Sequence, residues 1–220
     1  MNTAFDPTLA ESIRKSGNIA VIVIEKTEDV APLSRALLDG GIRAIELTFR
    51  TPAAPEALKA MASFSSELIV GAGTILTPDQ MAQAAAAGAA FAVAPGLNPR
   101  VAKAAAELGV SYAPGVMTPS EIEQALELGC TLQKFFPAGV LGGLKTITTM
   151  AAPYKHLGIR FIPLGGITPE TTAEYLKSPL IAACGGSWIA PAKLIAARDW
   201  DAIRANAELA CRVAAEARAC

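Results

Sequence analysis

Histidine and paired cysteines are almost missing from this chain of 220 residues. It has a single histidine, His156, and four cysteines, none of which belongs to a CxxC pair. Zinc sites need such ligands at close spacing, and nucleophilic triads need a histidine base. The composition therefore argues against a metal-centred or histidine-based mechanism, and we expect no metal. The cysteines are Cys130, Cys184, Cys211 and Cys220.

An excess of one charge sign is missing as well. The chain carries 19 basic and 20 acidic residues, which gives a formal net charge of −1. Nucleic acids and anionic membrane surfaces bind proteins through concentrated positive charge. We therefore expect neither nucleic acid nor membrane as a partner.

Long, strongly apolar runs are also lacking, although 52% of the residues are hydrophobic. The longest charge-free stretch, between Asp79 and Arg100, is rich in alanine and contains Pro95. Alanine gains little free energy on transfer into a membrane. The first residues also lack the basic, apolar and small-residue order of a secretory signal. We expect a cytoplasmic protein with reduced thiols.

What the sequence does have is a regular alternation of short β-rich runs with amphipathic segments of helical spacing. Several helices are predicted to begin where threonine precedes proline, as at Thr77, Thr118 and Thr168, because the hydroxyl caps the helix and proline fits its first turn. Several are predicted to end at glycine. The β-rich runs are residues 19–24, 44–49, 68–71, 91–94, 111–114, 131–135, 160–164 and 181–184.

This pattern predicts one α/β domain over residues 1–220, a (β/α)₈ TIM barrel. An extra N-terminal helix, Pro7–Ser16, is expected to cover the bottom of the barrel. The alternative is an open sheet that binds a dinucleotide. It is disfavoured because no GxGxxG turn follows the first run.

Lys134 is the candidate nucleophile. Functional residues of a parallel barrel lie at the carboxyl ends of its strands, and Lys134 is the one lysine set inside a strongly apolar run. Burial disfavours the charged ammonium form, and a neutral amine can attack a carbonyl carbon. The alternative is a lysine that extends its amine to solvent at the mouth of the barrel.

Glu46 is the candidate acid/base. In the run 44–49, alternation places Glu46 and Thr48 on the face opposite Ile45 and Leu47, and Arg50 follows with the same parity. If the apolar face packs against helices, Glu46 points into the barrel. The alternative is a partly solvated edge strand that carries a Glu–Arg pair.

Two glycine pairs, Gly165-Gly166 and Gly185-Gly186, are predicted to form turns after the last two strands. In this fold those loops commonly bind phosphate through backbone N–H groups, and Ser187 adds a hydroxyl. Simple turns are the alternative. A further glycine-rich segment, residues 70–74, ends at Thr74 and is either part of the site or a turn and helix cap.

Four motifs, in this order, resemble the bacterial 2-keto-3-deoxy-6-phosphogluconate (KDPG) aldolases, a family that also contains 4-hydroxy-2-oxoglutarate (KHG) aldolases. They are Ile-Glu-Leu-Thr-Phe-Arg-Thr from residue 45, Val-Gly-Ala-Gly-Thr from 70, Lys-Phe-Phe-Pro-Ala from 134 and Gly-Gly-Ser-Trp from 185. The resemblance spans nearly the whole chain. It implies a class I, metal-free lyase of the Entner–Doudoroff pathway that needs no cofactor, acts on a phosphorylated keto acid and is commonly a homotrimer.

The resemblance also implies roles for individual residues. Lys134 corresponds to the Schiff-base lysine and Glu46 to the general acid/base, while Arg50 and Thr74 match the contacts to the pyruvate carboxylate. The remaining matches are the wall residues Phe136 and Pro137 and the phosphate-end residues Gly165, Gly166, Gly186 and Ser187, with Gly185 beside them.

The chain departs from the family pattern at two single positions and at residues 138–140, where Ala-Gly-Val replaces a commonly more polar run. Leu164 stands where the family usually has threonine, and Ala20 where it usually has proline. Leu164 bears on selectivity at C4 of the substrate, so the galactonate-derived epimer is a further candidate substrate. KHG is an alternative substrate, and a phosphosugar isomerase or epimerase on the same barrel is an alternative of a different class.

Overall fold

Parallel strands and helices alternate along residues 5–219, the part of the chain that this computed structural model describes. The ends of the predicted domain and Cys220 lie outside these residues. Short 3₁₀ turns cover Thr27–Asp29 and Ala152–Leu157. The elements are α1 (Pro7–Ser16), β1 (Asn18–Ile22), α2 (Val30–Asp39), β2 (Ala44–Thr48), α3 (Ala54–Ala62), β3 (Ile69–Gly73), α4 (Pro78–Ala86), β4 (Phe91–Val93), α5 (Pro99–Leu108), β5 (Ser111–Ala113), β6 (Gly115–Val116), α6 (Pro119–Glu127), β7 (Leu132–Phe135), α7 (Gly143–Ala151), β8 (Arg160–Pro163), α8 (Pro169–Leu176), β9 (Cys184–Gly186), α9 (Ala192–Ala197) and α10 (Trp200–Ala219).

The threonine–proline helix starts are confirmed. The side chains of Thr77, Thr118 and Thr168 each accept a hydrogen bond from a backbone N–H in the first turn of α4, α6 and α8. Asp6 and Asn98 cap α1 and α5 in the same way, again with proline in the first turn. These five helix starts are thus encoded locally, by a polar cap and a proline whose missing N–H is not needed there.

The strands form two parallel sheets. One has the order β5-β4-β3-β2-β1-β9, and the other β6-β7-β8. Pro114 separates β5 from β6, and its carbonyl accepts the backbone N–H of Lys134 at 2.8 Å. Isolated bridges pair Phe161 with Ile181 and Leu164 with Gly185, which links β8 to the chain around β9.

Each predicted run differs from the observed strand by one to three residues at one end or both, and three of these differences have a clear physical cause. The run 111–114 ends as β5 at Ala113, because Pro114 has no N–H to donate to a neighbouring strand, and a further short strand, β6, follows it. The run 68–71 extends to Gly73 as β3, and the run 181–184 is replaced by β9, Cys184–Gly186. Both differences involve glycines that lie inside a strand and not in a turn, Gly71 and Gly73 in β3 and Gly185 and Gly186 in β9. Neighbouring side chains occupy the space that a Cβ at these positions would take.

Two buried apolar clusters support this arrangement. The larger lies between the strands and the helices. The smaller is formed by inward-facing strand residues such as Val21, Phe91 and Ile162, and Ile13 of α1 belongs to it. No helix within residues 5–219 combines the length and the apolar character needed to cross a bilayer.

Candidate active site

A buried lysine and a buried glutamate meet between β7 and β2. Lys134 Nζ donates to Glu46 Oε1 at 3.0 Å, and the two residues are 4% and 1% exposed. The prediction that Glu46 points inward is confirmed. Both alternatives were wrong: β2 lies between β1 and β3 and is no edge strand, and Lys134 does not extend its amine to solvent.

Gly73 leaves the space that the Glu46 carboxylate occupies. A Cβ built at position 73 would lie 2.1 Å from Glu46 Oε1, far inside van der Waals contact. Gly71, on the same face of β3, leaves room in the same way for the ring of Phe91. Gly71 and Gly73 therefore belong to a strand, and the absence of their side chains makes room for Phe91 and Glu46. Of the two interpretations of this segment, the turn was wrong for these two glycines.

Further contacts hold the main chain and the amine in place. Thr48 Oγ1 donates to the carbonyl of Ile22 at 3.0 Å, which ties the end of β2 to β1. The ring of Phe136 lies 5.6 Å from Lys134 Nζ, within the range of a cation–π contact. The lysine nitrogen thus has an anionic partner on one side and an aromatic face on another.

A cavity of about 110 Å³ opens at this pair. Arg50 lies at its wall, exposed to solvent, and forms no ion pair with a carboxylate of residues 5–219. A guanidinium in this position can bind both oxygens of an incoming carboxylate. The cavity is lined by Val21, Glu46, Arg50, Lys134, Phe136, Leu164, Gly165, Gly166, Ile167, Gly185 and Ser187.

The two glycine pairs differ in conformation. Gly165 and Gly166 have φ angles of 86° and 77°, so they form the predicted turn in a region that favours glycine. Gly185 and Gly186 lie in β9 and pair with Ile19 and Ala20 of β1. The predicted second turn was wrong.

Packing requires glycine at both positions of the second pair, Gly185 and Gly186. A Cβ at Gly185 would lie 2.3 Å from Leu164 Cγ, and one at Gly186 would lie 2.7 Å from Trp188 Nε1. Gly185 and Ser187 nonetheless line the cavity, opposite the turn formed by the first pair.

Three predicted site residues do not line this cavity. Thr74 follows β3 with a φ of 60°, Pro137 is half-buried behind the Gly165 turn, and Gly186 packs against Trp188. Their roles in binding stay predictions.

Two lining residues were missed by the sequence analysis. Val21 shares the inward face of β1 with Ile19, which alternation along that strand indicates, and Ile167 follows the glycine turn. Leu164 was noted as a departure from the family pattern, and its side chain fills the space over Gly185.

Metal-ligating side chains do not gather anywhere in the described part of the chain. Within residues 5–219 no group of three or more His, Cys, Asp or Glu side chains is placed to hold an ion. His156 is exposed, in the 3₁₀ turn before β8. The polar groups of the cavity are therefore an amine, a carboxylate, a guanidinium, a hydroxyl and glycine backbone.

This combination suits imine chemistry on a keto acid, and comparison with known proteins identifies the family. The family model for KDPG and KHG aldolases matches residues 9–206. The chain belongs to this family. The resemblance predicted from the sequence is confirmed. The protein is an aldolase, that is, a carbon–carbon lyase of class I. The isomerase alternative has no support.

Relatives match over nearly their full length. A 2-dehydro-3-deoxy-phosphogluconate aldolase of Treponema pallidum is 46% identical over 198 residues, which cover 90% of this chain and 93% of that protein. The KDPG aldolase of Legionella pneumophila, solved with pyruvate captured at low pH as a covalent carbinolamine intermediate, has a TM-score of 0.85 and 36% identity, with 90% of this chain and 96% of that chain covered. The KDPG aldolase of Zymomonas mobilis ZM4, solved with 3-phosphoglycerate, has a TM-score of 0.84 and 38% identity, with 91% and 94% covered.

Proposed function

We propose that this aldolase cleaves KDPG to pyruvate and glyceraldehyde 3-phosphate, with Lys134 as the nucleophile that forms the imine. The observation that carries the proposal is the buried Lys134–Glu46 contact of 3.0 Å in a cavity that also presents Arg50. A lysine and a glutamate taken out of water without a chemical role would be a costly arrangement.

The first step is attack of the Lys134 amine on the C2 ketone of the substrate. Glu46 is placed to accept a proton from the amine, which leaves a lone pair free for the attack. Glu46 returns that proton to the carbinolamine hydroxyl, which leaves as water, and the nitrogen lone pair forms the protonated imine. The imine withdraws electrons from C3 and prepares the next bond for cleavage.

The second step breaks the C3–C4 bond. Glu46, directly or through one water molecule, removes the proton of the C4 hydroxyl, the C4 aldehyde forms, and the bonding electrons move into the enamine of pyruvate. Protonation of that enamine at C3 and hydrolysis of the imine release pyruvate and restore the amine. Glu46 must therefore serve in both protonation states.

The remaining cavity residues bind the two ends of the substrate. Arg50, with Thr74 at the same end, is proposed to bind the keto acid carboxylate. The phosphate is proposed to lie against the Gly165-Gly166 turn, with Gly185, Gly186 and Ser187 opposite. Phe136 and Pro137 form the wall between them. Support comes from the pyruvate and the 3-phosphoglycerate held by the Legionella and Zymomonas relatives.

We further propose that the two sheets close into one (β/α)₈ barrel, a single cytoplasmic domain over residues 1–220 with α1 across its bottom. The bridges between Leu164 and Gly185 and between Phe161 and Ile181 support closure on one side. On the other side, the hydrogen bond from Lys134 to Pro114 joins the sheets. A single cooperative unfolding transition in calorimetry tests the one-domain assignment.

A homotrimer is proposed for the assembly. Exposed apolar side chains follow the carboxyl ends of β3, β6 and β7: Leu76 is 49%, Met117 43% and Val140 82% exposed. Association with a second copy would remove this apolar surface from water. Light scattering on the purified protein measures the mass directly, and a monomer would refute this part of the proposal.

Trapping with borohydride tests the nucleophile. Incubation with pyruvate and sodium borohydride should leave a reduced, stable adduct, and peptide mapping should locate it at Lys134. Lys145→Ala, a change at another lysine close in sequence, serves as the control and should still be labelled. An unmodified protein, or an adduct on another lysine, would overturn the assignment.

A substrate series tests the phosphate. If the glycine turn binds it, KDPG should have a much higher kcat/KM than its dephosphorylated form or than KHG. The loss should be about 10-fold or more, because charge-assisted hydrogen bonds to the phosphate are removed. Equal kcat/KM values would favour KHG as the substrate.

A further inference from the structure

A second cavity lies at the opposite end of the strands from Lys134, beside the start of β8. Its volume is about 470 Å³, larger than the active-site cavity. Arg160, the first residue of β8, lines it, whereas Leu164, just beyond the other end of β8, lines the active site. The cavity is lined by Arg14, Arg160, Leu176, Lys177, Ser178, Pro179, Ile181, Ala217 and Arg218.

Four cationic side chains from four elements converge on this cavity. Arg14 comes from α1, Arg160 from β8, Lys177 from the residue after α8 and Arg218 from α10. Arg160 and Lys177 are exposed and form no ion pair with a carboxylate of the described residues 5–219. Within residues 5–219, no acidic side chain lines the cavity.

The other two cations are only partly satisfied. Arg14 pairs with Glu11 at 2.7 Å, outside the lining. Arg218 donates one hydrogen bond, to the carbonyl of Ala182 at 2.7 Å, although a guanidinium has five N–H donors. Burial, and then repulsion from Arg14, lower the pKa of Arg218, and the nearby Glu11 carboxylate opposes this only in part. Like charges are thus held together at a distance where they repel.

Stabilisation of helix ends explains only part of this cluster. Arg14, Lys177 and Arg218 lie at or near the carboxyl ends of α1, α8 and α10, where cations interact favourably with the helix dipole. Arg160, however, begins a strand. Cations that served helix ends alone could also point into solvent instead of towards a shared cavity.

We propose that this cavity binds a small, multiply charged organic phosphate. Its volume lies within the range of about 300–1,000 Å³ that is usual for small-molecule sites. One guanidinium group can donate two parallel hydrogen bonds to two oxygens of a phosphate, and the hydroxyl of Ser178 is a further donor. Leu176, Pro179 and Ile181 offer an apolar wall for the organic part. These four cations surround a concavity in a chain of net charge −1, which favours a small ligand over a nucleic acid.

Calorimetric titration tests this proposal with two probes, ADP and inorganic pyrophosphate. The protein is first reduced with pyruvate and borohydride, so that the active site is blocked. The variant Arg160→Ala with Lys177→Ala changes two exposed side chains of the cavity. Its matched control, Arg100→Ala with Lys59→Ala, removes the same charge at exposed positions outside it.

Wild type and control should bind ADP with the same affinity, and the cavity variant should bind it about 10-fold more weakly or worse. All three should retain aldolase activity before reduction, which separates this result from a failure of the proposed function. Absence of ADP binding to wild type, equal weakening in both double variants, or binding of pyrophosphate alone would each overturn the proposal.

Discussion

The two halves of the active-site cavity differ in whether side chains or backbone groups form them. The half around Lys134 and Glu46 consists of side chains that are almost fully buried and in direct contact. The half around Gly165 and Ser187 consists mainly of backbone, and Ser187 is exposed. Bond-breaking chemistry requires fixed groups sheltered from water, whereas an anion at the periphery can be held by N–H groups and hydroxyls that stay hydrated. Substitutions in the first half should therefore lower kcat, and those in the second should raise KM.

The largest effect is expected from Lys134→Ala. Without the amine no imine forms, and kcat should fall by about 10⁴- to 10⁶-fold, as for other enzymes that lose a nucleophile. Steady-state assays of KDPG cleavage, followed by the release of pyruvate, measure this. Activity within 10-fold of wild type would rule out Lys134 as the nucleophile, provided that circular dichroism shows an unchanged fold.

Glu46→Gln should have the next largest effect. The amide keeps the size of the side chain but cannot accept a proton, so kcat should fall by about 10²- to 10⁴-fold. The variant should still form the borohydride adduct with pyruvate, while the exchange of pyruvate methyl protons, followed by NMR, becomes very slow. Exchange at the wild-type rate would show that Glu46 is not the base.

Gly73→Ala tests whether the position of the carboxylate matters as much as its presence. The added methyl group would displace Glu46, and misplacement by about 1 Å is expected to lower kcat by about 10²-fold. Gly96→Ala is the matched control, because a Cβ there meets nothing within 4 Å. If both variants retain wild-type kcat, the close approach of Gly73 and Glu46 has no catalytic consequence.

Ser187→Ala should change KM and not kcat, in contrast to the substitutions near Lys134. Loss of one hydrogen bond to a charged phosphate is expected to raise KM by about 10-fold and to leave kcat nearly unchanged. Ser66→Ala, at an exposed position outside the cavity, should change neither parameter. A fall in kcat at constant KM would contradict the division of the cavity into two halves.

The smallest expected effect concerns the reactivity of the Cys184 thiol in β9 towards alkylating reagents. Burial raises the pKa of this thiol, so it stays protonated and inert at pH 8. Iodoacetamide should modify the half-buried Cys211 faster than Cys184, and Cys184 should react only on unfolding. Mass spectrometry of the labelled peptides measures both rates. Rapid labelling of Cys184 in the folded protein would show that β9 opens beside the cavity.

Local signals in the sequence predicted the buried lysine–glutamate pair well. Lys134 stands out because a charge within an apolar strand is rare, and Glu46 because alternation assigns it to one face. The threonine–proline helix starts are similarly local. In each case the information lies within a few neighbouring residues.

Contacts between distant segments could not be predicted in this way. Gly185 resembles a turn residue in sequence, but it is glycine because Leu164 packs over it in three dimensions. The same holds for Gly73 and Glu46, which are 27 residues apart in sequence. A glycine pattern shows that a side chain is absent, and only the fold shows which neighbour takes the space.

Pro114 has a further consequence for the reacting nitrogen. It interrupts the strand that joins the two sheets, and its carbonyl holds the main chain of Lys134. The break between the sheets thus lies directly beside the residue proposed as the nucleophile. A sliding movement of the two sheets at this break would shift the amine relative to the carboxylate on the other sheet. The rigidity of this joint, together with the bridges from β8 to β9 on the other side, therefore bears on how constant the distance between amine and carboxylate stays during turnover.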